Sequence, residues 1–263
     1  MTRARSIAAA QTVPVRGDVD ENVARHVRLV RVAAKARAEV LVFPELSLTG
    51  YEIELADSLA FSRDDARLAP LVEEAASCSM TLIIGAPVRI ETRLYIGAFI
   101  LSPDRTVGLY TKQRLGAFSA NAVCDGIVPP GEATVFHPGD LNPLVRLGGH
   151  AAAVAVCADT GRPSHPQDAA ARGARTYLAS MFVIPSEFER ETANLSAYAV
   201  RHSMAVVFAN YGGPSGGLAS AGRSAIWSER GELLAQLSAT GAGVAVAVED
   251  DSGWRGETII LGG

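Results

Sequence analysis

Residues 151–157 read Ala-Ala-Ala-Val-Ala-Val-Cys. After Ala158 the chain turns polar at once, with Asp159-Thr160-Gly161-Arg162-Pro163. Seven apolar residues without alternation are what a strand buried on both faces requires, as in a parallel sheet covered by helices. The run ends on a thiol. The carboxyl end of a buried strand lies at the rim where open α/β sheets place their ligands. A buried cysteine taken alone is more often an inert core residue than a nucleophile. The reading of Cys157 therefore depends on what the rest of the chain brings beside it.

Upstream of that strand, residues 5–12 have the pattern of a first strand, with a turn over 14–18. Asp20 is a candidate N-cap for a helix in which Val23, Val27, Val30 and Ala34 recur at helical spacing. Val40 to Phe43 predict a second buried strand, stopped by Pro44. The pattern predicts a helix over 64–77 and a strand over 81–88. It then predicts an antiparallel pair over 94–101 and 107–110, joined by a turn at 102–105. Residues 113–132 form a long irregular stretch rich in Gly, Pro, Ala and Ser, of the kind that usually carries function. Short strands are expected at 134–136 and 144–147. Downstream of Cys157, helices are expected at 166–173 and 187–203 and strands at 176–179 and 205–209. Three closing strands are expected at 225–227, 233–237 and 244–248. The Gly-rich stretch 210–217 lacks the GK[ST] ending and the following helix of a phosphate cradle. No linker or tandem repeat is visible, so residues 1–263 are expected to form one α/β domain. The pattern fits two sheets packed face to face between helices, and it also fits one doubly wound sheet.

Composition narrows the function. The 263 residues are 48% apolar and 20% charged, which describes a globular chain. A net charge of -4 and the lack of a lysine-rich run give no reason to expect a nucleic-acid partner. No stretch reaches the length of a membrane span or a signal-peptide core, so neither a membrane nor export is expected and a cytoplasmic location is. Three dispersed cysteines and five histidines without HExxH spacing argue against a disulfide framework and against a metal.

Two further groups follow predicted strands. Phe43-Pro44-Glu45 puts a carboxylate beside an apolar wall, where its pKa would rise into the range of a general base. Tyr110-Thr111-Lys112 puts an ammonium past another strand. Each alone would more often be an ordinary surface residue. With Cys157 they form a coherent set: a base for the thiol, a thiolate to attack a carbonyl or nitrile carbon, and a cation for the oxyanion.

The residues around these three groups resemble the nitrilase, or carbon–nitrogen hydrolase, superfamily. The Glu motif is matched by residues 41–51, Leu-Val-Phe-Pro-Glu-Leu-Ser-Leu-Thr-Gly-Tyr. The Lys motif is matched by 110–115, Tyr-Thr-Lys-Gln-Arg-Leu, and the Cys motif by 156–159, Val-Cys-Ala-Asp. Further echoes run to Gly222-Arg223-Ser224. The resemblance implies a four-layer α-β-β-α sandwich and a cofactor-free site that passes through a thioester. It also implies a homodimer or higher homo-oligomer that packs the helices beside the Cys and Lys elements. It assigns Glu45 as base, Lys112 as oxyanion stabiliser and Cys157 as nucleophile. The backbone N–H of Ala158 becomes a second oxyanion donor, and Tyr51, Asp125 and Ala158 are placed at the substrate.

The chain also departs from that pattern. Many members carry a second glutamate shortly before a Pro-Gly. Asp125 is the acid nearest that place, one methylene shorter, and Glu132, which follows the Pro-Gly, is the poorer match. Ala158 stands where an aromatic or acidic residue is usual. The expected activity is thiol-dependent hydrolysis of a small linear amide or N-carbamoyl compound. Nitriles are less expected because true nitrilases tend to be longer. The glutaminase branch is less expected because it is usually fused to a synthetase domain, for which the chain has no room. The alternative is a catalytically weakened member that binds a ligand or a protein, as the missing second glutamate would suggest. In a third reading, His150 or His202 would serve Cys157 as base.

Overall fold

The computed structural model describes residues 5–118 and 130–262. In chain order it runs β1 (Arg5–Gln11), α1 (Val19–Lys35), β2 (Val40–Val42), α2 (Ala56–Leu59), α3 (Ala69–Ser77), β3 (Thr81–Ile90), β4 (Arg93–Leu101) and β5 (Val107–Thr111). It continues with β6 (Leu144–Leu147), β7 (His150–Val156), α4 (Ser164–Ala171), β8 (Ala174–Ser180), α5 (Phe188–His202) and β9 (Ala205–Ala209). It closes with β10 (Ala225–Trp227), β11 (Leu233–Gln236), β12 (Gly243–Asp250) and β13 (Gly253–Ile260). The strands form two sheets, of order β13-β12-β1-β2-β3-β4-β5 and β11-β10-β9-β8-β7-β6. This is the face-to-face arrangement, and it excludes the single doubly wound sheet.

Three separate apolar clusters define the four layers. One lies between the sheets and joins Ile7, Ala9, Val42 and Ile83 to Val154, Val156, Leu178 and Val207. A second packs α1 and α3 onto the outer face of the first sheet through Leu29, Val30, Leu71 and Ala75. The third packs α5 and α4 onto the second sheet through Leu195, Ala199 and Ala169. The two-residue period of a strand explains the unbroken run at 151–157. Ala152, Val154 and Val156 face the sheet opposite, while Ala153 and Ala155 lie under the helices.

Several local expectations change. The helix N-cap is Asp18, whose carboxylate accepts the N–H of Glu21 at 3.0 Å, rather than Asp20. The helix expected over 64–77 is a 3-10 turn at Ala66–Leu68 followed by α3, with Pro70 in its first turn. The strand expected at 134–136 is a 3-10 turn, Glu132–Thr134, whose following Phe136 enters the core. Strand β13 was not anticipated. It is an edge strand with mostly exposed residues, so it lacks the apolar signal used to find strands. Among the described residues no helix is long and apolar enough to cross a membrane.

Candidate active site

Glu45 follows β2, Lys112 follows β5 and Cys157 follows β7, so three strand ends from two sheets deliver their side chains to one place. Lys112 Nζ donates to Glu45 Oε1 at 2.6 Å and to Glu132 Oε1 at 2.7 Å. All three side chains are buried. Cys157 keeps part of its surface open and lines a cavity of about 440 Å³ with Tyr51, Phe118, Glu132, Ala158 and Phe182. That volume lies in the range of small-molecule sites.

The Glu45 loop is held against β3 by a close backbone approach. A Cβ on Gly85 would lie 2.3 Å from the Leu46 nitrogen and 2.6 Å from the Pro44 oxygen. Leu46 has a φ of +54°, and Tyr211 donates its hydroxyl to the Glu45 carbonyl at 2.5 Å. One carboxylate oxygen of Glu45 goes to Lys112, and the other, Oε2, is buried without a hydrogen-bond partner. Cys157 itself has a φ of +42°, a left-handed backbone that a non-glycine residue adopts only when its surroundings hold it there. Thr160 Oγ1 donates to the Cys157 carbonyl at 2.8 Å, and the thiol faces the Phe182 carbonyl at 3.6 Å. Ala158 supplies one of the first N–H groups of the 3-10 turn Cys157–Gly161, which have no acceptor within the turn.

The electrostatics follow from two carboxylates sharing one ammonium away from water. Burial pushes Glu45 up to about 7, against the pull of Lys112 and with the help of the like charge on Glu132. For Lys112, burial disfavours the ammonium, but Glu45, Glu132 and Cys157 outweigh it and its pKa is raised. The Cys157 thiol is pushed well above its usual range, first by its enclosed surroundings and then by Glu45, with Lys112 acting the other way. The resting state is thus a thiol beside a carboxylate whose pKa is close to neutrality.

Most of the residues singled out from the sequence meet here. Glu45, Lys112 and Cys157 do, with Ala158 and Tyr51 on the cavity wall. Tyr51 donates its hydroxyl to Glu132 Oε1 at 2.7 Å, which leaves its ring to face the cavity. Asp125 lies outside the described residues. Glu132, ranked below it from sequence, is the second acid of the cluster. Its own N–H donates to the Gly116 carbonyl at 3.1 Å, and the Gly116 N–H returns a bond to Glu132 Oε2 at 2.7 Å. That exchange turns the residue after Pro130-Gly131 inward. Glu132 thus supplies a second buried carboxylate bonded to Lys112, the kind of group whose absence would suggest the weakened-member reading. His150 begins β7, at the opposite end of the strand from Cys157, and bonds Thr176 at 3.4 Å. His202 ends α5, far from the first turns of that helix, which line the cavity. Among the described residues no group of three or more His, Cys, Asp or Glu could hold a metal ion.

The chain is similar to several known proteins in family and fold. The carbon–nitrogen hydrolase family profile matches residues 6–255. The chain is similar to a glutamine-dependent NAD(+) synthetase of Mycobacterium tuberculosis, 31% identical over 252 residues. That match covers 89% of this chain but spans only 37% of the synthetase. It is also similar to a nitrilase of Pyrococcus abyssi, 26% identical over 93% of this chain and 89% of the relative. Among solved structures it resembles an amidase of Nesterenkonia sp. AN1, with a TM-score of 0.81 and 25% identity over 94% of both chains. A point mutant of that amidase has also been solved with the acetamide moiety of fluoroacetamide added covalently at its active-site cysteine.

Proposed function

The chain belongs to the carbon–nitrogen hydrolase family, and from that premise we propose that it hydrolyses small linear amides through a thioester on Cys157. The observation that carries this reading is the buried Lys112 ammonium, bonded to Glu45 and Glu132 beside a half-open thiol and an unpartnered Glu45 oxygen. Cys157 attacks the amide carbon while its proton passes to Glu45, whose pKa of about 7 suits a base working near neutrality. The oxyanion that forms meets the Lys112 ammonium and the Ala158 N–H. The C–N bond breaks as Glu45 gives the proton to the leaving amine, and ammonia departs. Glu45 then takes a proton from water, the hydroxide attacks the thioester, the C–S bond breaks to release the acid, and Glu45 returns its proton to the departing Cys157 thiolate.

The cavity wall favours a small acyl group. Tyr51, Phe118 and Phe182 pack edge to face or tilted at centroid distances of 5.0 to 5.6 Å, leaving an aromatic surface beside the thiol. Two comparisons widen the substrate panel. The 31% identity to the glutamine-dependent synthetases favours a second reading, release of ammonia from glutamine, which sequence alone makes less expected. The Pyrococcus nitrilase, matched over 89% of its length, removes chain length as a reason to omit nitriles.

The test is ammonia release from short aliphatic amides, glutamine, N-carbamoyl compounds and nitriles, with Cys157→Ala as blank. Release from short amides that disappears in both Cys157→Ala and Glu45→Gln is the expected result. Release from glutamine alone would move the assignment to the second reading. Activity that survives Glu45→Gln would refute the assigned base.

A further inference from the structure

We propose that Asp159 is the positioning residue of this site, a buried clamp that sets the Lys112 ammonium against the Cys157 thiol. The proposal rests on the reading of Cys157 as nucleophile. Asp159 is fully buried and accepts four hydrogen bonds. Its Oδ1 takes the backbone N–H groups of Gln113 at 3.1 Å and Arg114 at 2.8 Å. Its Oδ2 takes the N–H of Val156 at 3.1 Å and the hydroxyl of Tyr110 at 2.7 Å. Three of these donors surround Lys112 in the chain, at its second neighbour before and its first and second neighbours after. The fourth immediately precedes Cys157, and Asp159 itself follows the cysteine by two residues. One carboxylate therefore ties the turn that carries the cation to the turn that carries the nucleophile. These turns extend strands of different sheets, β5 and β7, which share no ladder that could fix their spacing.

The clamp is anchored from behind by a chain of donors whose direction is determined. The single proton of the Tyr110 hydroxyl goes to Asp159, so the 3.0 Å contact between Tyr110 Oη and His165 Nε2 is donated by the imidazole. Nδ1 of His165 is then the acceptor for the Tyr177 hydroxyl at 2.8 Å. Burial depresses the pKa of His165, which keeps the ring in this neutral tautomer. Tyr177 lies on β8, the strand beside β7, so the chain ends in the sheet that carries Cys157. All four donors to Asp159 need an oxygen. An asparagine offers one oxygen, and its NH₂ would face two of them, so only a carboxylate satisfies the clamp.

The test uses iodoacetamide, which reports on the thiol without any assumption about the substrate. The alkylation rate at Cys157 is followed by mass spectrometry from pH 5 to 9, with Cys78 as internal control. Glu45, Lys112, Glu132 and Tyr51 face the thiol and shape its profile, and none of them is altered. The wild type should react at Cys157 with an inflection set by Glu45. Asp159→Asn should slow alkylation at pH 8 about 100-fold, the cost of a misplacement near 1 Å, while Cys78 is unchanged. It should lower kcat for the best amide by a similar factor and leave KM within about threefold. Tyr110→Phe, which removes one donor of four and is isosteric, should lose about three- to tenfold by the same readout. A folded Asp159→Asn with the wild-type rate and profile overturns the proposal. If Asp159→Asn does not fold, Tyr110→Phe decides, and a wild-type rate there overturns it. A wild-type Cys157 no more reactive than Cys78 overturns the nucleophile reading and the clamp together.

Discussion

Replacing Glu132 by Gln tests the charge balance of the buried cluster. Burial first, and then the like charge of Glu132 against the pull of Lys112, leaves Glu45 holding its proton up to about pH 7. The two carboxylate oxygens lie 2.6 and 2.7 Å from the same nitrogen. They are therefore separated by about 5 Å at most, and at an effective dielectric of about 20 their repulsion is about 3 kcal/mol, or about two pKa units. Glu132→Gln removes it, so Glu45 should fall to about 5, and the acid limb of kcat/KM should move down by about two pH units. The plateau should also drop. The glutamine oxygen can keep Lys112 and Tyr51, but its NH₂ then meets the Gly116 N–H where Oε2 accepted it at 2.7 Å. A donor opposed to a donor costs about 1–3 kcal/mol, about 10- to 100-fold in rate. The assay is the pH profile of ammonia release from the best amide, with Cys157 alkylation as a second readout. A plateau that falls while the acid limb stays in place would refute the electrostatic reasoning and leave Glu132 a purely steric role.

Gly85→Ala should lower the hydrolase rate about 100-fold while costing only about 1–3 kcal/mol of stability. The added Cβ meets the backbone of residues 44–46, so relief must come from moving the Glu45 loop. Ammonia release measured beside thermal unfolding checks this, and full activity in the variant would show that the loop is not pinned there. His26, stacked on Phe43 and bonded to Ser47 behind the same loop, has its pKa lowered by burial to about 4. A lowered histidine pKa gives stability that is complete above pH 6.5 and is lost as pH falls toward 4, because only the unfolded chain takes up the proton. The loss approaches about 3 kcal/mol. His26→Gln lacks this component, so the difference in urea midpoint between wild type and variant should shrink from pH 7.5 to pH 4.5. A difference that does not change with pH would contradict the buried neutral imidazole.

Much of the architecture was legible because buried strands leave a strong local signal. The runs at 5–12, 40–43, 81–88, 151–157 and 205–209 each appear as strands close to their expected bounds. The choice between one sheet and two was not legible, since alternating helices and apolar strands satisfy both. It is decided by pairings far apart in sequence. β12 pairs antiparallel with β1 and pulls the chain's last strands back into the first sheet, while β10 and β11 extend the second. β13 escaped detection for the opposite reason. It is stabilised by its ladder to β12 and leaves most of its side chains in water, so Gly253-Trp254-Arg255-Gly256-Glu257 shows no apolar period.

The site divides along the same physical line. Glu45, Lys112 and Cys157 could be found because each sits one to three residues past a strand, where local pattern fixes both the residue and its place at the sheet rim. Glu132 could not be identified from local pattern, because nothing in its neighbourhood shows that this acid turns inward. The deciding contact is its exchange of hydrogen bonds with Gly116, sixteen residues away, which points the carboxylate at Lys112. Asp159 shows the limit most clearly. The sequence shows it only as part of the Cys motif, because its partners at residues 110, 113 and 114 lie on or just past β5, in the other sheet. A nucleophile and its cation on separate sheets need a link that neither strand pattern contains. A buried carboxylate with four donors is such a link, so the residue that sets the geometry of the reaction is one whose side chain never faces the cavity.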